Sequence, residues 1–336
     1  MPRISYRAIS RHPLLWGAVS AFLGIALAQP SAVPSQAGDV PLRADTAEYF
    51  PQGGLPPPLD LDGGQSAHAL AVPYTSPATA VEEEWSLDVL PSGLIYPSYL
   101  AGMREPRLGA MWVHERDLGW LLDAALGGRV GLFRYGAEGT PRPTGWQIDF
   151  EGAAFPRIDL EHELDLVAAD FRYGVPLTLG LGRYQAKLAY YHLSSHLGDE
   201  YMLRFRQVPR INFSRNVLVW GNSFYATDDV RLYAEAGWAM YTDGGTEPWE
   251  FQFGIDYSPA CPSHGLRGAP FVALNAHLRE EVDFGGNLVV QVGWQWRSRN
   301  GHLLRTGMHY FTGKSDQFEF YRQHEDKLGL GLWYDF

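Results

Sequence analysis

The last ten residues limit the fold more than any other stretch. Residues 327–336 alternate with a period of two: Leu328, Leu330, Leu332, Tyr334 and Phe336 fall on one face. Lys327, Gly329, Gly331, Trp333 and Asp335 fall on the other. Such alternation describes a strand with one apolar side. The pattern returns repeatedly beyond residue 100. In 249–257, Trp249, Phe251, Phe253, Ile255 and Tyr257 oppose Glu250, Gln252, Gly254 and Asp256. In 287–299, Leu288, Val290, Val292, Trp294 and Trp296 oppose Asn287, Gln291, Gly293, Gln295, Arg297 and Arg299.

A soluble antiparallel sandwich also alternates. Three features favour a membrane barrel instead. The second face carries Gly, Gln and charges of both signs, as a wet lumen does. Aromatics gather at the ends of the segments, as in interfacial girdles. Several segments run to about ten residues, long enough for a tilted span, where ordinary strands average roughly five or six. Twelve segments emerge: 105–115, 119–134, 144–152, 164–178, 183–194, 211–226, 229–241, 248–257, 270–280, 286–298, 302–312 and 326–336. The expectation is an all-β fold, a transmembrane antiparallel up-and-down β-barrel of about twelve strands. A change of phase between Leu166 and Val167 predicts a bulge or a split. Residues 85–104 fit no strand and are expected at the periplasmic mouth.

The chain has 336 residues and a formal net charge of −11, which argues against a nucleic-acid partner. Residues 1–28 read as a signal peptide: Arg3, Arg7 and Arg11 precede an apolar run, and Ala26-Leu27-Ala28 offers a cleavage site. No other segment reaches the length of a helical span. Residues 29–84 are rich in Pro and Ala and read as a disordered periplasmic lead-in; the barrel is expected over 85–336. The single cysteine, Cys261, has no partner and reads as an unused thiol.

The densest polar cluster is Tyr190, Tyr191, His192, Leu193, Ser194, Ser195, His196 and, past Gly198, Asp199, Glu200 and Tyr201. In phase with Tyr184, Ala186, Leu188 and Tyr190, His192 and Ser194 fall on the lipid side, at the extracellular end. Residues i and i+2 of a strand lie roughly 6.7 Å apart on one face. An imidazole can reach a hydroxyl across that gap, which is the base and nucleophile arrangement of acyl hydrolysis. A third group would orient the imidazole, and Asn212, Asn216 and Asp199 are candidates; Asn212 is carried forward. The plainer alternative is a polar rim where the strand leaves the hydrocarbon. His192 and His196 lie too far apart along a strand to share an ion. Were the chain to turn at Ser195, Asp199 and Glu200 would suit Ca²⁺, and otherwise no cofactor is expected. The opposite face is expected to line or plug the lumen with Asp123, Arg129, Lys187, Arg231, Glu235, Glu250, Asp256, Arg279, Arg297, Arg299 and Arg305.

Three resemblances follow from these residues. The terminal strand ending in Phe336 resembles the closing strand of bacterial outer-membrane barrels. That implies recognition by the barrel assembly machinery, outer-membrane lipid as surroundings and the bacterial outer membrane as location. His192-x-Ser194 on a lipid-facing strand resembles the outer-membrane phospholipase A barrels and the outer-membrane lipid A deacylases. This implies His192 as base and Ser194 as nucleophile. The position where those families place the third residue holds Arg204, Phe205 and Arg206 here, so Asn212 would need a longer hairpin. The string 190–201 with Arg210–Ser214, and residues 95–105, resemble a family of exported bacterial outer-membrane β-barrels of unknown function. Two readings remain open: a passive barrel, as a narrow pore or structural protein, and a lipid acyl hydrolase using Ser194 and His192.

Overall fold

The computed structural model describes residues 84–138, 141–205 and 210–336. The expected signal peptide lies outside the described residues, as does the lead-in apart from Glu84. A short strand, β1 (Ser86–Val89), comes first. Twelve longer strands follow: β2 (Leu108–Glu115), β3 (Gly119–Ala137), β4 (Thr144–Asp159), β5 (Asp165–Leu181), β6 (Tyr184–Leu197), β7 (Ser214–Tyr225), β8 (Val230–Asp243), β9 (Trp249–Tyr257), β10 (Ala269–Arg279), β11 (Gly286–Arg297), β12 (Leu303–Lys314) and β13 (His324–Asp335). They correspond one for one to the twelve predicted segments. Each pairs antiparallel with its neighbour in sequence, and β13 pairs with β2 to close the cylinder. No helix among the described residues is long and apolar enough to cross a membrane.

The pairing of β13 with β2 closes the sheet apart from a short stretch of β3 past Leu126, and closure is what lets a β-sheet stand in hydrocarbon. The alternation sorts side chains between lipid and lumen. Leu328, Leu330 and Leu332 of β13 point outward, whereas Lys327, Trp333 and Asp335 are buried inside. Aromatics stand exposed near both rims: Trp120, Tyr241 and Trp249 at one, Tyr135, Trp146, Tyr184 and Tyr257 at the other. The phase change in β5 is a bulge. Arg157 pairs with Ala168 and Ile158 with Leu166, which leaves Val167 without a partner. Gly182, at φ +59°, opens the two-residue turn between β5 and β6, a position that suits Gly.

Residues 85–104 depart from expectation. After β1, which pairs with the lower end of β3, the chain enters the lumen instead of staying at the mouth. Ile95, Tyr96, Tyr99, Leu100 and Ala101 are buried there. The reason lies in backbone solvation: an irregular segment inside a barrel leaves its carbonyls unpaired, and these must find donors. Inward-pointing arginines supply them. Arg231 donates to Pro97 O and Ser98 O, both at 2.7 Å. Arg107 donates to Leu100 O at 2.7 Å and Tyr99 O at 2.6 Å. Arg134 reaches Gly93 O at 2.9 Å, and Arg172 reaches Arg104 O at 2.7 Å.

A second segment, 315–321, folds into the opposite mouth and is buried throughout. Arg279 donates to Ser315 O at 3.0 Å, and Asp316 accepts from Lys327 at 2.5 Å and Arg157 at 3.1 Å. Arg104, from the first segment, bridges Asp170 at 2.7 Å and Asp316 at 3.4 Å, which ties the two plugs together.

Candidate functional site

Inside, the charged side chains form a paired network. Of those expected in the lumen, Lys187 bridges Glu235 at 2.7 Å, and Tyr99 donates to the same carboxylate at 2.7 Å. Arg129 pairs with Asp149 at 2.5 Å, Arg231 with Asp256 at 2.7 Å and Arg305 with Asp335 at 2.7 Å. Glu250 faces Arg215 at 3.5 Å and His277 at 3.0 Å. Asp123 meets Arg157 at 2.6 Å and Lys327 at 2.9 Å. Arg279 faces the second plug, and Arg297 lies at the lower mouth, donating to Pro259 O at 2.9 Å. Arg299 does not line the lumen: β11 ends at Arg297, and Arg299 stands exposed in the following turn.

Packing leaves little room. Between the plugs, the space lined by Met103, Arg172, Glu235, Asn275 and Phe318 is about 30 Å³. That is room for about one water molecule. Burial raises the Tyr96 phenol well above its usual range, with Glu235 adding to the effect. Burial opposes ionisation of Asp316, but Lys327, Arg104 and Arg157 outweigh it and hold the carboxyl well below the usual range.

Outside, a polar cluster stands on β6 and β7 among the apolar side chains of the wall. β6 stays extended to Leu197, so His192, Ser194 and His196 all point away from the lumen, each partly exposed. Ser195, between them, points inward, donates to Asp170 and accepts from Glu319 N at 3.1 Å. The adjacent serines thus belong to different compartments.

His192 pairs across the sheet with Asn216 of β7. Its Nδ1 lies 2.7 Å from Asn216 Oδ1. An amide oxygen accepts only, so this contact calls for a proton on Nδ1, which in the neutral ring leaves Nε2 its lone pair. Tyr190 OH also donates to Asn216 Oδ1, at 3.2 Å. Tyr173, the partner of His192 on β5, packs its ring 5.2 Å away. Ser194 lies two residues on, between Phe171 and Ser214 on the neighbouring strands. No hydrogen bond joins Ser194 to His192. His196 Nδ1 is 3.0 Å from Arg210.

The residue in contact with His192 is Asn216 and not Asn212. Asn212 sits at φ 57° before β7 begins, with its backbone N–H donating to Glu319 at 3.2 Å and its side chain accepting from Arg210 at 3.2 Å. The long connection between β6 and β7 contains a short helix, α1 (Asp199–Arg204), and delays the start of β7. The cross-strand register then brings Asn216 opposite His192. Asp199 and Glu200 open α1, both exposed, and β6 does not turn at Ser195 to bring them to the histidines. No group of three or more His, Cys, Asp or Glu side chains that could hold a metal occurs among the described residues.

Sequence reasoning also missed Arg107, Arg134, Arg157, Arg172 and Arg215 as lumen residues. The signal for Arg157 was present: the alternation of β4 continues through Arg157 and Asp159, masked by small outward residues such as Gly152 and Ala154.

The fold and site define a closed membrane β-barrel, plugged inside, with one outward-facing His–Asn pair beside a serine. The chain belongs to the family described as protein of unknown function (DUF1207), whose model matches residues 82–336. No curated protein matches it. Among solved structures, outer membrane phospholipase A from Escherichia coli is 10% identical, covering 72% of this chain and 94% of that one, with a TM-score of 0.48. The Salmonella typhi outer membrane phospholipase dimer with bound calcium is 11% identical, covering 72% and 92%, with a TM-score of 0.49. Likeness at that level concerns the shape of the barrel and leaves the chemistry to be argued from this chain.

Proposed function

We propose that this barrel resides in the bacterial outer membrane and hydrolyses acyl esters of membrane lipid. In this reading Ser194 is the nucleophile, His192 the general base and Asn216 the group that orients the imidazole. The observation that carries it is the 2.7 Å contact between His192 Nδ1 and Asn216 Oδ1 on the lipid-facing side. Tyr173 and Tyr241 flank the pair along the register, and such aromatics mark the interface between hydrocarbon and headgroups. Lipid ester carbonyls lie at that boundary.

The chemistry follows from the tautomer. His192 Nε2 takes the proton of Ser194 as Oγ attacks the ester carbonyl. The tetrahedral intermediate collapses, the lipid alkoxide leaves with that proton, and an acyl-serine remains. Water, deprotonated by the same Nε2, attacks the acyl-serine. Fatty acid departs and Ser194 regains its proton. The serine–imidazole contact is commonly loose without substrate and closes when substrate binds. With the termini in the periplasm, β6 ends at the cell exterior, so the substrate is drawn from the outer leaflet.

The test is release of fatty acid from phospholipid or lipopolysaccharide by purified protein, compared with Ser194→Ala. Equal release by both proteins, or none from either, sinks the hydrolase. A structural barrel is the second reading, supported by the two plugs and the charge-paired lumen. That filling weighs against a narrow solute path, and steady single-channel conductance in a planar bilayer would restore one. In either reading the strand ending in Phe336 is offered to the assembly machinery.

A further inference from the structure

The barrel wall has a window at its seam. β2 pairs with β3 only as far as Leu126, and β1 takes up the same edge of β3 at Phe133. Between them neither strand pairs with 127–132. Only two backbone hydrogen bonds flank the gap, Gly127 N to Arg107 O and Leu90 N to Leu132 O, each 3.0 Å. Here the wall is thin as well as open. Gly128 faces outward opposite Gly152, and a Cβ on Gly128 would lie 2.7 Å from the ring of Phe336.

A cavity of about 460 Å³ occupies this window. Val130, Phe150, Gly152 and Phe336 line it from the lipid side, while Pro91 and Leu94 of the first plug close it from within. Val130 and Phe150 belong to the exposed apolar belt, so the cavity opens into hydrocarbon and not into water. At its lower end lies His302, whose Nδ1 is buried without a hydrogen-bond partner. A mostly apolar slot in the belt, bounded by Arg129 in its ion pair with Asp149 and by the His302 ring at the interfacial end, matches an amphiphile lying along the membrane normal.

The geometry points to a structural lipid site: one acyl chain of a glycerophospholipid from the leaflet nearer the chain termini enters this window. The chain packs against Phe150, Val130 and Phe336, and the glycerol ester region lies beside the His302 ring at the lower end. The apolar lining and the hydrocarbon surroundings favour the chain, and the position of His302 where β12 begins, at the lower rim, places the glycerol end at the membrane interface. The site lies on a different part of the wall from Ser194 and does not depend on the hydrolase reading.

Native mass spectrometry of the full chain, released from vesicles of ether-linked phosphatidylethanolamine, tests this. Ether lipid resists esterases, so turnover at Ser194 cannot empty the site. One retained lipid per barrel is expected. Gly152→Phe fills the slot from its outer wall, where the added Cβ meets nothing nearer than 3.6 Å. It should lower retention by at least about tenfold, the loss expected when roughly two methylenes lose their burial. Val292→Phe, on the lipid face of β11, should leave retention unchanged. Heat-modifiable gel migration checks that each variant is folded, and Val130→Trp fills the same slot should Gly152→Phe fail that check. Equal retention in wild type and a folded slot-filling variant, no retained lipid in wild type, or a retained free fatty acid in place of phospholipid would each overturn the assignment.

Discussion

Arg157 and His192 are both polar side chains on barrel strands, yet their surroundings differ in kind. Arg157 is fully buried in the lumen and meets three carboxylates: Asp123 at 2.6 Å, Glu325 at 2.7 Å and Asp316 at 3.1 Å. His192 stands partly exposed on the outer wall and is held by a single neutral amide. The inner group completes a network that fastens the second plug to β4 and β13. The outer group fastens nothing, because β6 and β7 are already joined by their backbone ladder. A polar cluster on a lipid face that is not needed for the fold is where chemistry is best sought. Ser194 and Ser195 repeat the contrast at adjacent positions.

The largest expected effect lies on the outer wall. Ser194→Ala should cut fatty-acid release by at least about 10⁴-fold, the scale lost when a triad member is removed. Ser195→Ala should keep the activity and lower only the unfolding temperature, since it removes one hydrogen bond from Asp170 and leaves the buried Glu319 N–H without its acceptor. Comparable activity loss in both would erase the distinction between the two faces.

Next come the stability experiments. Arg157→Ala leaves three buried carboxylates short of their partner and should cost about 3–5 kcal/mol, read from thermal or urea unfolding in detergent or lipid. Val292→Arg places a charge near the middle of the lipid face and should cost about 2–4 kcal/mol in vesicles. If the two variants exchanged magnitudes, the assignment of inside and outside would be wrong.

Asn216→Ala should lower the rate roughly 10²-fold, the scale of positioned acid–base help. Asn212→Ala should leave the rate unchanged. That pair separates the residue that touches the imidazole from the one that touches the plug.

The smallest effect is that of acid on the plugs. Asp316 titrates well below its usual range, because cations outweigh its burial. Glu105 is likewise lowered: burial opposes this, and Lys187, Arg172 and Arg107 overcome it. Groups depressed in the folded state lend stability above their unfolded pKa of about 4 and lose it as the pH falls further. The unfolding temperature should therefore hold steady from neutral pH to about 5 and decline below about 4. A protein equally stable at pH 3 would show that these carboxylates are not held ionised.

The strand order was legible because alternation is a local property and each strand pairs with its neighbour in sequence. Each strand needs only its own period of two to choose a face, so twelve segments could be read without knowing their partners. The bulge at Val167 was legible for the same reason, since one extra residue flips the phase. The plugs were not. Residues 90–107 and 315–321 have no period, and their place depends on arginines contributed by distant strands. Asn216 was one candidate among three, and only the register of β7 against β6 put it opposite His192.

Alternation alone implies a twelve-stranded barrel with an apolar exterior and a charged interior, because lipid and lumen impose opposite demands on alternate residues of every strand. That the interior is filled, that Asn216 and not Asn212 meets His192, and that the wall is open beside Phe336 follow from the path of the chain in space. Each of those rests on contacts between segments far apart in the chain, where hydrogen-bond register and chain path, rather than periodicity, choose the neighbours.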